Sequence, residues 1–548
     1  MYWKNLLLLL TIVGIGFYVG NQLLPGENDR LQPSDRNELT EIQNVASQID
    51  EQFIASWQTS GIESTFSASE RLVARRLSLG LTGTIPSLEE IRMLDHSPSE
   101  ARIDRWVNYL LNDKRFHDFF AERFARALVG TEDGPFIVFR RRRFVLWLSE
   151  QLKANRPYDE LVRSLIKNNG LWTDTPSVNF YTVTIDNNEN KQPDPIRLAA
   201  RTSRAFLGLR IDCLQCHDDA LGTLEFGSPN QIRSGTQQDF HQLAAAFSSV
   251  RQTAAGLQDT IQNQDYRYQF LDEYKETVVE FKVPFRRDLI PQHGTHREKL
   301  ASWITHKENR AFSRAIVNRV WGLLFGTPLV KPVDDIPFFE SHPLGLDLLA
   351  SDFADNGYDL WRLIRIIAQT KTFQTSSVAS FPITEKHENL FAIFPQTPLR
   401  PEQVVGSLVQ ASSLKTINDQ STVLQKLMTF GDINDFIQRY GDSGEDEFLK
   451  RNGTIQQKNI MMNGKVVSER SNANGLMLNS AGQIAAMADS DAAAINSLFL
   501  ITLSRLPTAL ELDYLCGLFT GQNHGERQRI IEDILWSLFN KEEFQINH

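Results

Sequence analysis

The stretch DPIRLAARTSRAFLGLRIDCLQCHDD, residues 194–219, decides the reading of this chain. Asp194 followed by Pro195 supplies a helix N-cap and a favoured first helical position. The residues after them predict a helix that delivers the chain directly into Cys213. There Cys213, Cys216 and His217 form C-x-x-C-H. This spacing suits covalent attachment of a c-type haem, because two thiols add to two vinyl groups while the next imidazole reaches iron. The chain has only three cysteines in 548 residues, and two lie here, so composition alone does not account for the motif. A disulfide or dithiol pair and a zinc site are the competing readings. Cys516 is the only other thiol, which excludes a four-cysteine zinc site; a Cys2His2 site would need a histidine such as His241, without finger-like spacing.

Outward from this stretch the pattern is helical. Ser67-x-x-Glu70, Ser87-x-x-Glu90, Ser97-x-x-Glu100 and Thr295-x-x-Glu298 all have the capping-box form. Ile103, Trp106, Val107, Leu110 and Leu111 make one buried helical stripe, and Phe116, Phe119, Phe120 and Phe124 make the next. An aromatic stripe of this kind is read as ordinary core before it is read as a cofactor wall. Residues 38–59, 144–155, 158–170 and 239–252 predict further helices, with Gly170 as a stop signal. Strand signal is confined to NFYTVTI (179–185) and TVVEFKVPF (277–285). After a Pro- and Gly-bearing break near 286–294 the second half is again helical, and RYGDSGEDEF (439–448) and RNGTIQQKNIMMNGK (451–465) read as long surface loops.

The first 24 residues differ in kind. Lys4 precedes an uncharged, mostly apolar run from Leu6 to about Gly20, and no small-residue cleavage site stands before Asn21. This predicts an uncleaved N-terminal membrane anchor with the rest of the chain exported to the periplasm; secretion after cleavage is the alternative. The expected fold class is mainly α, two helical domains with minor β after the anchor. The expected order is 1–24 anchor, 25–60 polar tether and first helix, 61–288 helical domain with C-x-x-C-H, and 289–548 helical partner domain.

A formal net charge of −10 argues against a nucleic-acid partner. The one basic run, Arg140 to Arg143, is expected to be a solvated helix start paired with acidic neighbours; an anion or propionate site is the alternative. No G-x-S-x-G, P-loop or G-x-G-x-x-G is present, which leaves a nucleophilic hydrolase without support.

Several stretches taken together resemble a known family. RLVARRLSLGLTGTIPSLEEI (71–91), LLNDKRFHDFFAERFARALVG (110–130), NRPYDELVRSLI (155–166), RAFLGLRIDCLQCHDD (204–219) and QDFHQLAAAF (238–247) resemble the planctomycete cytochrome c-like domain of unknown function, family 1549. REKLASWITHKENRAFSRAIVNRVWGLLFGTPLVKPVDDI, HPLGLDLLASDFADNGYDLWRLIRIIAQTKTFQTSS, LRPEQVV and LFLITLSRLPTALE resemble the partner domain that follows it, family 1553. The resemblance covers most of residues 65–545. It implies a bacterial envelope protein with a cytochrome-like cysteine motif and assigns no reaction. One position departs from the family's C-H-D-H-P pattern: Asp219 stands where the second histidine would be. No separate N-terminal cytochrome module of the larger relatives is read here, so electrons are expected to come from a redox partner protein in the envelope.

If haem c is bound, Cys213 and Cys216 are its thioether positions and His217 its proximal iron ligand. His241 on the following helix, or Met461 or Met462, is the candidate distal ligand; an open sixth position would suggest small-molecule chemistry. The runner-up class is a metal-dependent or acid–base enzyme. It would use His293 and His296, spaced H-x-x-H, with His306, or the group Asp334, Asp335 and His342. Loop histidines without helical H-E-x-x-H geometry weaken that reading. The third class is a non-haem envelope scaffold with a Cys213–Cys216 disulfide.

Overall fold

The computed structural model describes residues 31–548 apart from 32–34, 132–138, 186–190, 221, 223, 229–230, 261–264, 272, 339–341, 419–420, 422–432, 442–447, 449–452 and 474–478. The anchor segment 1–24 lies outside the described residues. Among those described, no helix is long and apolar enough to cross a membrane.

The fold is mainly helical, as expected. Its sheets, among the described residues, are two-stranded and antiparallel: Glu225–Ser228 with Gln231–Ser234, Val250–Thr253 with Gly256–Asp259, Arg267–Tyr268 with Thr277–Val278, and Thr397–Pro398 with Ile546–Asn547. The strand expected over 179–185 is overturned, and the one over 277–285 is corrected in part. NFYTVTI opens as the short helix Asn179–Thr182, which continues from the 3-10 turn Pro176–Val178. Phe180, Tyr181, Thr182 and Val183 are all buried, so a segment enclosed on every side takes the conformation the core permits whatever its β propensity. In TVVEFKVPF only Thr277–Val278 pairs as a strand, although Phe285 bridges to Gly227. RNGTIQQKNIMMNGK is also not simply a loop: Thr454 caps a helix, Ile455–Asn463, with Gln457 completing the box.

The capping boxes divide. Ser87 with Glu90 and Thr295 with Glu298 form as the sequence predicts. Near Ser67 the cap shifts to Ser69, whose hydroxyl accepts from Leu72 N. Near Ser97 the helix begins only at Arg102, after Ala101 takes φ 58°.

Two apolar cores result. The first draws on residues from Ile42 to Phe394, including Trp106, Phe120, Phe206, Trp303, Trp321 and Ile364. Side chains from both sides of residue 290 therefore share it; Tyr158 stacks on Phe312 with centroids 5.3 Å apart. The second core joins Leu79, Ile85 and Leu88 to Val404, Leu498, Phe499, Leu535 and Phe544. The helix Glu70–Thr82 is the seam, buried from Val73 through Thr82. Its two enclosed guanidiniums donate to carbonyls: Arg75 to Thr502 and Phe544, and Arg76 to Phe373, Thr375 and His548, while Arg75 Nε and Arg76 Nη2 have no partner among the described residues. Burial pulls Arg76 down to about 9.

Candidate functional site

Asp194 caps the helix Pro195–Thr202 as expected, accepting from Ile196 N at 2.8 Å. The helix does not run straight into the cysteines. It widens into a π-turn, Ser203–Leu207, and stops at Gly208, whose φ of +63° only glycine takes without cost. Leu209 and Ile211 are then buried, and Arg204 holds Asp212 at 2.8 Å. These contacts place the 3-10 turn Asp212–Gln215. In a 3-10 turn residues three apart eclipse one another. Cys213 and Cys216 therefore point to the same side, both exposed, while Leu214 between them is fully buried.

Behind the thiols the turn is braced through one atom. The Gln215 carbonyl oxygen accepts from His241 Nε2 at 3.1 Å, Gln237 Nε2 at 3.1 Å and Tyr268 Oη at 3.2 Å. A carbonyl only accepts, so His241 carries its proton on Nε2, and Nδ1 takes the hydroxyl proton of Tyr266 at 2.8 Å. The imidazole is wholly buried and lies 3.4 Å, centroid to centroid, from the Tyr268 ring. Burial lowers its pKa and keeps it neutral, and burial raises that of Tyr266. The structure thus brings His241 to the motif with both ring nitrogens engaged, as a support for the turn.

The motif's last residues are tied down as well. Asp218 accepts from Gln237 N at 2.7 Å, at the start of the helix Gln237–Ala244. Asp219, at the position where the family pattern has histidine, accepts from Leu224 N at 2.6 Å and donates its own N–H to Gly235 O at 3.0 Å. His217 is exposed, and its Nδ1 lies 2.7 Å from the Asp218 carbonyl. That contact puts the proton on Nδ1 and leaves Nε2 as the nitrogen with a lone pair. Partial desolvation, with Asp219 and Asp212 adding to the effect, raises the pKa of the Cys213 thiol.

The other sequence candidates lie apart from this turn. Met461 is buried in the second core, and Met462 is half exposed beside Trp536, whose indole donates to its carbonyl at 3.2 Å. His293 sits in the exposed loop before the helix His296–Ile304. His296 packs on Phe281, and His306 accepts from Glu308 N. Asp334 pairs with Arg210 at 2.8 Å, burial raises the pKa of Asp335, and His342 contacts Pro337 O and Asp347. Among the described residues, no group of three or more His, Cys, Asp or Glu side chains could hold a metal ion. The basic run starts the helix Arg141–Lys153, with Arg141 bidentate on Glu122 and Arg143 donating to Thr173 O. The Phe116, Phe120 and Phe124 stripe is core.

Sequence reasoning missed the brace. Its signal was present in DYRYQF, where alternation puts Tyr266 and Tyr268 on one face of a strand. Residues 48–252 match the family model PSCyt2, Protein of unknown function (DUF1549), and residues 296–432 match PSD1, Protein of unknown function (DUF1553). Neither a curated protein nor a solved structure matches the chain. The chain thus carries a PSCyt2 match, with the cysteine turn inside it, followed by a PSD1 match.

Proposed function

We propose that this is a redox protein of the cell envelope that carries one covalent c-type haem on the turn 213–217, tethered to the inner membrane by residues 1–24 with the remainder in the periplasm. The observation that carries the reading is the paired arrangement of this turn: two exposed thiols on one side of a 3-10 turn, followed by an exposed imidazole with Nδ1 engaged and Nε2 available. Cys213 and Cys216 would hold the group through thioethers, and His217 Nε2 would be the axial nitrogen. One-electron exchange with an envelope partner is the chemistry that such a group supplies when bound. Asp218 O orients the His217 ring, while Gln215 O, through His241, Gln237 and Tyr268, keeps the turn from shifting. The hairpin beside the turn offers apolar cover: Leu271 is 72% and Tyr274 fully exposed, and Leu271 N bonds the same Gln237 that supports Gln215.

The same eclipsed placement favours a second reading, a Cys213–Cys216 disulfide on a non-haem scaffold. A pyridine haemochrome spectrum separates the two. The full chain, expressed with a c-type maturation system and extracted with acidified acetone, is expected to keep a c-type α-band that Cys213→Ala or Cys216→Ala removes. A colourless chain under those conditions overturns the haem reading, and thiol counting then tests the disulfide.

A further inference from the structure

Alternation along Asp265, Tyr266, Arg267 and Tyr268 turns the two phenols to one side of an extended segment. Arg267–Tyr268 pairs with Thr277–Val278, and the Val279 N–H, bonded to Tyr266 O at 2.8 Å, prolongs the pairing. On that side stands the helix Gln237–Ala244, fixed by its capping box of Thr236 and Asp239, which brings His241 against both rings. Tyr266 Oη donates to His241 Nδ1 at 2.8 Å, and His241 Nε2 donates to the Gln215 carbonyl in the cysteine turn.

Tyr266 differs from other hydrogen-bonded phenols of the chain in what receives its proton. Tyr181, Tyr268 and Tyr358 donate to the carbonyl oxygens of Ile166, Gln215 and Thr305, which cannot keep a proton. Tyr109 meets Glu90, whose carboxylate is already engaged by the Arg115 guanidinium and the Ser87 N–H. Tyr266 faces an imidazole nitrogen with a lone pair. Burial lowers the pKa of His241 and raises that of Tyr266, with Tyr268 and Asp194 adding to the second effect, so at rest the proton stays on the phenol. Removing an electron inverts this order. A phenol radical cation is a far stronger acid than an imidazolium, and a cation left in a half-buried site without a base is costly. A base at hydrogen-bond distance takes the proton as the electron leaves. The imidazolium so formed keeps its Nε2–H on Gln215 O, now a charge-assisted bond, and rests against the Tyr268 ring, centroids 3.4 Å apart.

We propose that Tyr266 and His241 form a proton-coupled one-electron donor beside the cysteine turn, serving a one-electron oxidant of higher potential than phenol. Tyr266 gives one electron to that oxidant; its Oη–H bond breaks and an N–H bond forms at His241 Nδ1. The products are a neutral tyrosyl radical, an imidazolium and the reduced oxidant. The strengthened bond to Gln215 O carries the event to the turn that bears Cys213 and Cys216. The pair lies beyond the haem reading and needs no haem.

Photogenerated tris(bipyridine)ruthenium(III) tests the pair on the full chain carrying Cys213→Ala and Cys216→Ala, which has neither haem nor a competing thiol at the turn. Tyrosyl radical, followed by transient absorbance and electron paramagnetic resonance, is expected to form in a fast phase whose rate is the same at pH 7 and pH 9 and falls in deuterium oxide. Adding Tyr266→Phe should abolish that phase. His241→Gln, which leaves the phenol without an imidazole base, should slow it at least tenfold and make it pH-dependent. Tyr514→Phe, at a phenol 71% exposed, should remove only part of the slow, pH-dependent phase that solvated tyrosines give. The pH and deuterium readings need no change at Tyr266 or His241, so a misfolded variant cannot stand in for a lost donor. A fast phase that survives Tyr266→Phe, an unchanged rate in His241→Gln, or the absence of any fast phase before those substitutions would each overturn the pair. A colourless chain in the haemochrome experiment would leave all of these outcomes untouched.

Discussion

At the residue scale the most informative side chain is His241. Its imidazole is buried, neutral and used at both nitrogens, so the Gln215 carbonyl and the Tyr266 hydroxyl both depend on it. His241→Ala leaves Tyr266 with a donor facing a void, and a cost of about 1–3 kcal/mol is expected for stranding a buried polar group. His241→Gln, which keeps a donor near Gln215 O, should lose less. The pH dependence has a definite sign. The folded pKa lies below the ordinary value of 6.5, so the unfolded chain takes up the proton first as pH falls. The stabilisation is therefore complete above about 6.5 and declines as pH drops below it toward the folded value. His117 and His296, also lowered by burial, act in the same direction. Urea midpoints at pH 7 and pH 5 should show the unaltered chain losing more stability on acidification than His241→Gln; equal losses would contradict the assignment of a neutral, buried His241.

At the element scale the hairpin Val250–Thr253 with Gly256–Asp259 fixes the far side of the first core. Gly256 turns it with φ +100°, and a Cβ there would overlap the carbonyl of Gly170, with which the adjacent Leu257 exchanges backbone hydrogen bonds of 2.8 and 2.9 Å. Arg297, wholly buried, clamps the same hairpin to the helix His296–Ile304 through two bonds to Asp259. Backbone against backbone leaves no side chain to move aside. Gly256→Ala should accordingly cost about 2–3 kcal/mol, from the unfavourable φ and the overlap together. A denaturant midpoint unchanged from the parent would show that the hairpin can shift away from Gly170. Gly170 itself illustrates the limits of local reading. The sequence marks it as a helix stop, whereas the helix ends at Lys167 and Gly170 serves as the bridge to Leu257.

At the scale of the whole molecule the first core does not divide at residue 290. Phe312, Trp321, Phe353 and Ile364 are buried together with Phe120, Tyr158 and Phe206. Arg365 adds an ion pair to the buried Asp104 at 3.0 Å. Each large apolar side chain contributes about 1.5–3 kcal/mol by leaving water. Residues 61–288 expressed alone would expose both the faces that meet residues 296–394 and the Leu79, Ile85 and Leu88 side chains that belong to the second core. That fragment is expected to lack a cooperative thermal transition and to bind 8-anilinonaphthalene-1-sulfonate, while the full chain does not. A sharp, dye-free transition in the fragment would mean that its core closes without the second half.

What the sequence alone determined were the features written in adjacent residues: the helical class, the cap at Asp194 and Pro195, the boxes at Ser87 and Thr295, and the C-x-x-C-H spacing. Hydrogen bonds and periodicities spanning three or four positions are local, and local chemistry suffices to write them. The tertiary structure decided the rest. NFYTVTI became helical at its start because it is enclosed, and His241 became a brace because Tyr266, Tyr268 and Gln215 meet it from 25 to 27 positions away. Each of these depends on which distant side chains share a volume, and burial overrides local preference wherever the two conflict.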